Sequence, residues 1–236
     1  MKYLMLPMLL AGCSTGLDEP AFVPSPAELR PHALGTVGAL LDAEQIVVGE
    51  VTAIQYALSE PGEHGTIPHT FVTWSIEQAL KGSAPEELTL RFVGGPLGDG
   101  RFMTASSVPL FNLGERDLLL VRGNEDGICP LVGCSQGVLR LLDGRAYSEG
   151  GAEIIADASG LREGRIVDAE ALHAFDVDGV ELRRHTSSAV SQGEGTAEDE
   201  VLGWLAGQVQ DACPPEHLAA LPVAKSADPR KPFSID

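Results

Sequence analysis

Basic residues are scarce in this chain of 236 residues, where 16 Lys and Arg stand against 34 Asp and Glu and the formal net charge is −18. Nucleic-acid affinity comes largely from Lys and Arg that neutralise phosphates, so this balance argues against a nucleic-acid partner. It also argues against electrostatic binding to anionic lipid. The apolar run over residues 3–11 is far shorter than the roughly 20 residues that span a bilayer.

The N-terminus nevertheless has a pattern of its own. Met1-Lys2 precedes the apolar run, which ends in Leu10-Ala11-Gly12-Cys13. An apolar stretch of about 7 to 15 residues behind a positive charge is typical of a secretory signal peptide. The last four residues resemble the lipobox of bacterial lipoprotein signal peptides. An ordinary secreted protein, or a buried structural segment, is the alternative interpretation.

The lipobox resemblance implies a set of processing steps. Residues 1–12 would be a signal peptide, the Cys13 thiol would receive a diacylglyceryl group, and the new amine would often receive a further acyl chain such as palmitate. Two or more acyl chains hold a protein stably on a bilayer, so the lipid bilayer is the partner expected for Cys13. Ser14 follows the cysteine where lipoproteins of the inner membrane tend to have Asp. The expected location is the bacterial cell envelope, with the outer membrane favoured if the organism has one.

Cysteine is scarce as well, with four residues in the chain. With Cys13 assigned to lipid, Cys129 and Cys134 predict a short disulfide loop in an oxidising compartment. Free thiols are the alternative, and zinc is disfavoured because no second Cys or His pair stands nearby at ligand spacing. Cys213 is then left unpaired.

Other possible metal ligands are weak candidates. His64 and His69 lie five residues apart in a predicted loop, where solvated side chains are the simpler interpretation. Asp176-Val177-Asp178-Gly179 resembles the start of a calcium loop, but His185 stands where the bidentate Glu is required. We therefore expect no metal and no cofactor.

Composition divides the chain into a tether and a domain. Residues 13–34 contain Pro20, Pro24, Pro26 and Pro31 and predict an extended tether behind the lipidated cysteine. Residues 35–160 are predicted to form a β-barrel-like domain, because apolar and polar residues alternate there with the period of strands. The predicted strands lie at 46–54, 70–79, 88–92, 101–108, 117–121, 138–142, 146–147 and 154–155.

The spacing of these strands sets the expected fold class. Six or more strands separated by turn residues, with little helix pattern among them, predict a mainly β fold, either a barrel or a sandwich. Gly49 interrupts the first strand and predicts a β-bulge.

The C-terminal third changes in character after about residue 160. Residues 161–195 are predicted to contain a short helix, at 167–175, and a flexible linker. A C-terminal helix is predicted over 196–213, with Thr196 as its N-cap and Trp204 on an apolar face that docks on the domain. Residues 214–236 are predicted to be a loose tail.

One motif suggests catalysis. Gly133-Cys134-Ser135-Gln136-Gly137 matches the G-x-S-x-G pattern of a nucleophile elbow, which requires a helix after the serine. A strand pattern follows instead, so a chance match in a Gly-rich loop is preferred. A serine hydrolase that uses Ser135, with Asp176 and His185 in triad order, is the alternative.

The strand region resembles a known group. The residues that carry the resemblance are Ile46–Val51, the stretch from Thr70 to Lys81-Gly82, Leu88–Phe92 and the turn at Gly114-Glu115 with the strand after it. Over about 45–142 the chain is similar to secreted bacterial domains related to the netrin/tissue-inhibitor-of-metalloprotease (NTR) group. This similarity implies an OB-like barrel with helices at its end. The sequence lacks the N-terminal cysteine set of the group's inhibitors, so the similarity by itself does not predict protease inhibition and leaves that activity open.

Together these observations predict a non-enzymatic surface lipoprotein that binds a protein or envelope partner. The hydrolase that uses Ser135 and a structural envelope component without a discrete ligand are the two alternatives.

Overall fold

The computed structural model describes residues 37–62, 65–83, 85–98, 100–124, 128–158, 160–166, 174–177, 180–183, 196–213 and 225–231. The predicted signal peptide, Cys13 and the tether lie outside these residues, as does most of the predicted linker.

The described chain is built mainly from strands. Its helices and strands are, in chain order, α1 (Val37–Asp42), β1 (Gln45–Leu58), β2 (Pro68–Lys81), β3 (Glu87–Val93), β4 (Gly95–Pro96), β5 (Phe102–Met103), β6 (Arg116–Val121), β7 (Val138–Leu142), β8 (Arg145–Ser148), β9 (Ala152–Asp157), β10 (Gly160–Ile166), β11 (Ala174–Val177), β12 (Val180–Arg183) and α2 (Glu198–Ala212). A short 3-10 turn covers Cys134–Gly137.

Most strands belong to one antiparallel sheet. Its eight strands follow the order β10-β9-β8-β7-β6-β1-β2-β3, and β4–β5 and β11–β12 form separate two-stranded sheets. The predicted mainly β fold with a short C-terminal helix is therefore confirmed. Among the described residues the sheet is open, with β10 and β3 as its edges, and is not a closed barrel.

One face of the sheet packs against the two helices. An apolar cluster lies between this face and the helices. The helix α2 buries Val201, Leu205 and Val209 in the cluster, and Leu202 and Trp204 pack against it. Since apolar residues recur every three to four positions along α2, one stripe of the helix faces the sheet. The docking of Trp204 on its own domain, predicted from the sequence, is thus observed.

Loops cover the opposite face of the sheet. The buried apolar cluster on this loop-covered face consists of Val47, Val51, Val72, Trp74, Leu88, Leu90, Phe92, Phe111, Leu119, Val121, Cys129, Leu131 and Val138. Because side chains alternate along a strand, Val47 lies in this cluster while Ile46 and Val48 lie in the helix-covered one. Residues 118–121 of β6 are all buried since both faces are covered.

Gly49 lies at an irregularity of the β1–β2 pairing, as predicted. The register shifts between Val48 and Gly49. A Cβ at Gly49 would stand 2.6 Å from the Ser75 carbonyl oxygen, so only glycine allows the two strands to approach this closely.

The structure corrects several sequence predictions. Of the strand predicted at 101–108, only Phe102–Met103 is a strand. The helix predicted at 167–175 lies partly outside the described residues, and its end falls in β11. The N-cap of α2 is Ala197, because the Thr196 hydroxyl instead accepts the Ala156 N–H at 2.9 Å.

Of the residues predicted to form a loose tail, the structure describes 225–231. They lie against β3, where the Ala227 N–H donates to the Thr89 carbonyl at 2.8 Å. Neither helix in the described part of the chain combines the length and hydropathy needed to cross a bilayer.

Candidate functional site

An apolar cleft opens on the loop-covered face where β1 and β3 end and β2 begins. Its cavity volume is about 30 Å³, so the cleft is a small depression in the surface. Its lining residues are Ile54, Tyr56, Thr70, Phe92, Val93, Gly94, Phe102, Met103, Thr104, Ala105, Val108, Pro109, Leu110 and Phe111. None of these residues carries a charge, although the chain as a whole is strongly acidic.

Gly94 brings the β4–β5 hairpin over the strand ends to form one wall of the cleft. Its N–H donates to the Pro68 carbonyl at 2.8 Å, and its carbonyl accepts the Thr70 hydroxyl at 2.8 Å. The Gly94 φ is +114°, and a Cβ would lie 2.7 Å from the Met103 carbonyl oxygen. A side chain at this position would therefore push the hairpin away and open the wall.

Aromatic side chains form the floor and the rim. Phe92 and Phe111 form the floor, with their centroids 4.9 Å apart, and Trp74 packs on them from the core, its centroid 5.0 Å from that of Phe111. At the rim, Tyr56 packs edge to face on Phe102 with centroids 6.1 Å apart. Tyr56 is 38% exposed, and Leu97, at the tip of the β4–β5 hairpin, is 42% exposed.

Behind the floor lies a buried ion cluster centred on Arg140 of β7. The guanidinium donates to Asp117 at 2.8 Å, to Glu115 at 3.1 Å and to Glu149 at 2.6 Å. Asp117 also accepts the Trp74 indole N–H at 3.0 Å. These bonds join β2, β6, β7 and the residues after β8.

The same guanidinium holds the loop that lines the cleft. Its Nη2 donates to the Leu110 carbonyl, and its Cζ lies 4.6 Å from the centroid of the Phe111 ring. A cation over an aromatic face is attracted by the ring quadrupole. Arg140 thus positions both residues through which the ion cluster contacts the cleft.

Electrostatics keep Arg140 charged in this cluster. Burial disfavours the charge, but Asp117, Glu149 and Glu115 outweigh it and raise the pKa of Arg140. Burial raises the pKa of Asp117 above its ordinary value, and Glu115 adds to this, while Arg140 and the Trp74 N–H oppose it. The Arg140 guanidinium therefore stays protonated. It holds the cleft loop in place and does not exchange protons.

The predicted disulfide is present. Cys129 and Cys134 are bonded, with their Cα atoms 5.7 Å apart, and Cys129 is buried in the cluster on the loop-covered face. Cys213 is a free, buried cysteine next to the end of α2.

Ser135 lies in the 3-10 turn, half-buried, with its N–H donating to the Ser107 carbonyl at 2.9 Å. The strand β7 follows this turn directly, whereas a nucleophile elbow requires a helix there. Asp176 lies in β11, and His185, the other member of the predicted triad, lies outside the described residues.

Of His64 and His69, the two possible metal ligands, only His69 lies among the described residues. His69 is buried in β2, contrary to the prediction of a solvated loop residue, because β2 begins at Pro68. His64 lies outside the described residues. Within the described part of the chain, no group of His, Cys, Asp and Glu is arranged to hold a metal ion.

Comparisons of the chain with protein-family models, with curated proteins and with solved structures find no significant match.

Sequence reasoning missed the ion cluster. The pattern over residues 138–142 predicts a strand but does not by itself show that Arg140, in its centre, is buried among carboxylates. The available signal was a cation between four apolar residues, since a charge in such a strand needs a buried partner.

Proposed function

We propose that this protein is a lipid-anchored module of the bacterial cell envelope that binds a partner protein through the apolar cleft and carries out no reaction of its own. The observation that carries the proposal is the uncharged lining of the cleft in a chain of net charge −18. Apolar pockets with a few polar groups are the usual form of a binding site. The lipobox at Leu10–Cys13 supports the anchor.

The chemistry of the cleft indicates its occupant. A lining of aromatic and aliphatic side chains favours an apolar patch of the partner that packs on the cleft at the centre of the interface. The net charge of −18 favours a partner with basic residues at the edge of the interface, which would speed association and supply specificity.

The buried ion cluster centred on Arg140 favours a binding site that is already formed in the free protein. The Leu110 carbonyl and the Phe111 ring both contact the buried Arg140 guanidinium, so the loop is held before a partner arrives. A site that needs no ordering on binding keeps more of its interaction energy as affinity.

Crosslinking on intact cells tests this proposal. A photoreactive benzoylphenylalanine in place of Leu97, exposed at the tip of the hairpin that forms one wall of the cleft, should give one discrete protein adduct. The same group in place of Leu41, exposed on α1 near the opposite end of β1, should not. Val108→Asp in the cleft should abolish the adduct, whereas Leu113→Asp, at an exposed position outside the lining, should leave it unchanged.

Equal adducts from positions 97 and 41, or no adduct at either, would reject the cleft as the binding surface. Thermal unfolding of the Val108→Asp protein provides the folding control.

Mass spectrometry of the mature N-terminus tests the anchor. We expect a diacylated or triacylated Cys13 as the first residue and release of a Cys13→Ala variant from the membrane fraction. A product that retains Met1 and an unmodified Cys13 thiol contradicts the lipoprotein assignment.

A further inference from the structure

The edge strand β3 has an unusual set of hydrogen-bond partners. An edge strand presents N–H and C=O groups to which another strand can pair, and proteins cover such edges. The outward N–H groups of β3 are those of Thr89, Arg91 and Val93. They donate to the Ser226 hydroxyl at 3.1 Å, the Asn124 side-chain oxygen at 2.9 Å and the Ile128 carbonyl at 3.0 Å.

The Asn124 side chain takes the place of one residue of a neighbouring strand. Its oxygen accepts the Arg91 N–H, and its Nδ2 donates to the Thr89 carbonyl at 3.0 Å. One residue of a parallel neighbouring strand forms the same two bonds through its own C=O and N–H groups. The edge of β3 therefore presents the hydrogen-bonding groups that a neighbouring strand would use, although the Asn124 side chain now occupies them.

The C-terminal segment 225–231 occupies the other end of the edge. The Ser226 hydroxyl and the Ala227 N–H both bond to Thr89, and the Lys225 carbonyl accepts the Asn124 Nδ2. Lys225, Ser226, Arg230 and Lys231 are exposed, so few contacts hold the segment in place.

The segment is also loosely packed on the sheet. Pro229 and Arg230 border, together with Gln55, Phe71, Thr73 and Thr89, a groove that is partly open to solvent. The segment therefore lies beside these residues without closing over them. Displacing residues 225–231 therefore costs little packing.

We propose that the Glu87–Arg91 edge of β3 is a strand-addition site for an extended peptide of a partner protein, and that residues 225–231 occupy it in the free protein. The partner strand replaces the Ser226 and Ala227 bonds and the Asn124 amide with a backbone ladder. Such pairing supplies affinity through main-chain hydrogen bonds and specificity through alternate side chains. This surface is separate from the cleft, because the segment lies over Phe71 and Thr73, which do not line the cleft.

The alternation along β3 sets the sequence of the partner strand. Leu88 and Leu90 point into the core on the cleft side, whereas Thr89 and Arg91 face the other way. Apolar residues at every second position therefore suit the added strand, and basic ends suit the acidic protein. The probe is the blocked peptide Lys-Val-Thr-Val-Thr-Val-Lys.

The full chain with Ser226→Gly and Ala227→Pro tests the proposal, because these changes remove the acceptor for the Thr89 N–H and the donor to the Thr89 carbonyl. The control is Lys225→Ala with Lys231→Ala, in the same segment. We expect the probe to bind the first variant at least about tenfold more tightly than the control, with backbone resonance changes and amide protection centred on Thr89 and Arg91.

The unaltered protein provides an independent measurement. Excess probe should displace the segment and shift the Ala227 amide resonance. Equal affinity of the two variants, resonance changes away from β3, or an unmoved Ala227 amide in excess probe would each overturn the proposal and identify the segment as a cover only. Retained protection of β1 and β6 amides shows that each variant is folded.

Discussion

Arg140→Met should be among the most damaging single substitutions in the described chain. The Arg140 side chain is 4% exposed and Asp117 is 0% exposed, so the methionine would leave a buried carboxylate without its cation. Breaking a buried ion pair by removing one partner costs about 3–5 kcal/mol of unfolding free energy. Glu115 and Glu149, at 12% and 16% exposure, reach water and limit the further cost.

The stability loss of the Arg140→Met variant should depend on pH in a definite direction. Burial raises the folded-state pKa of Asp117, so the folded protein loses stability as the pH rises from the unfolded value of about 3.9 through the folded pKa. Without Arg140 the folded pKa rises further and the loss grows. The stability difference between wild type and variant should therefore be largest near neutral pH and shrink towards about pH 4.

Urea unfolding at both pH values measures this difference. Arg162→Met is the control, because Arg162 is 30% exposed and pairs with Asp157 at 2.6 Å, and it should cost less than about 1 kcal/mol. Adding Asp117→Asn to Arg140→Met should recover part of the loss, since the orphaned charge is removed. A cost below about 1 kcal/mol for Arg140→Met, or the same cost at both pH values, would refute the reasoning.

Three further predictions concern stability. Replacing both Cys129 and Cys134 by Ser should lower the unfolding free energy by about 2 kcal/mol, because the bridge closes a short loop; an unchanged denaturation midpoint would contradict this. Lys81→Met should cost about 2 kcal/mol in chemical denaturation, since the buried Lys81 ammonium donates to the Leu40, Leu41 and Ala43 carbonyls at the end of α1; a neutral result would show that the carbonyls find other partners. Ala197→Ser should raise the melting temperature, because the α2 N-cap makes no side-chain hydrogen bond and a serine cap adds about 1 kcal/mol; no gain would mean that the hydroxyl cannot reach the helix N–H groups.

Local sequence patterns determined the elements of the central sheet. The alternation around Trp74 and Leu90 predicted β2 and β3, because the period of a strand depends on adjacent residues alone. The Gly49 interruption predicted the bulge, although the reason that glycine is required, the approach of the Ser75 carbonyl, lies on the neighbouring strand. The Cys129–Cys134 spacing likewise limited the disulfide to a small loop. These features needed no knowledge of distant contacts.

The tertiary structure alone decided which distant residues meet. Arg140, Asp117 and Trp74 come from three strands that are separated in the chain, and their cluster arises only once β6 lies between β1 and β7. Thr196 was predicted as a cap, but Ala156 on β9 competes successfully for its hydroxyl. The segment 225–231 pairs with Thr89 across more than half the chain. The spacing of apolar residues along a strand shows which of its faces is buried. Which strand or segment pairs with it depends on the closure of long loops, and no pattern of neighbouring residues encodes that choice.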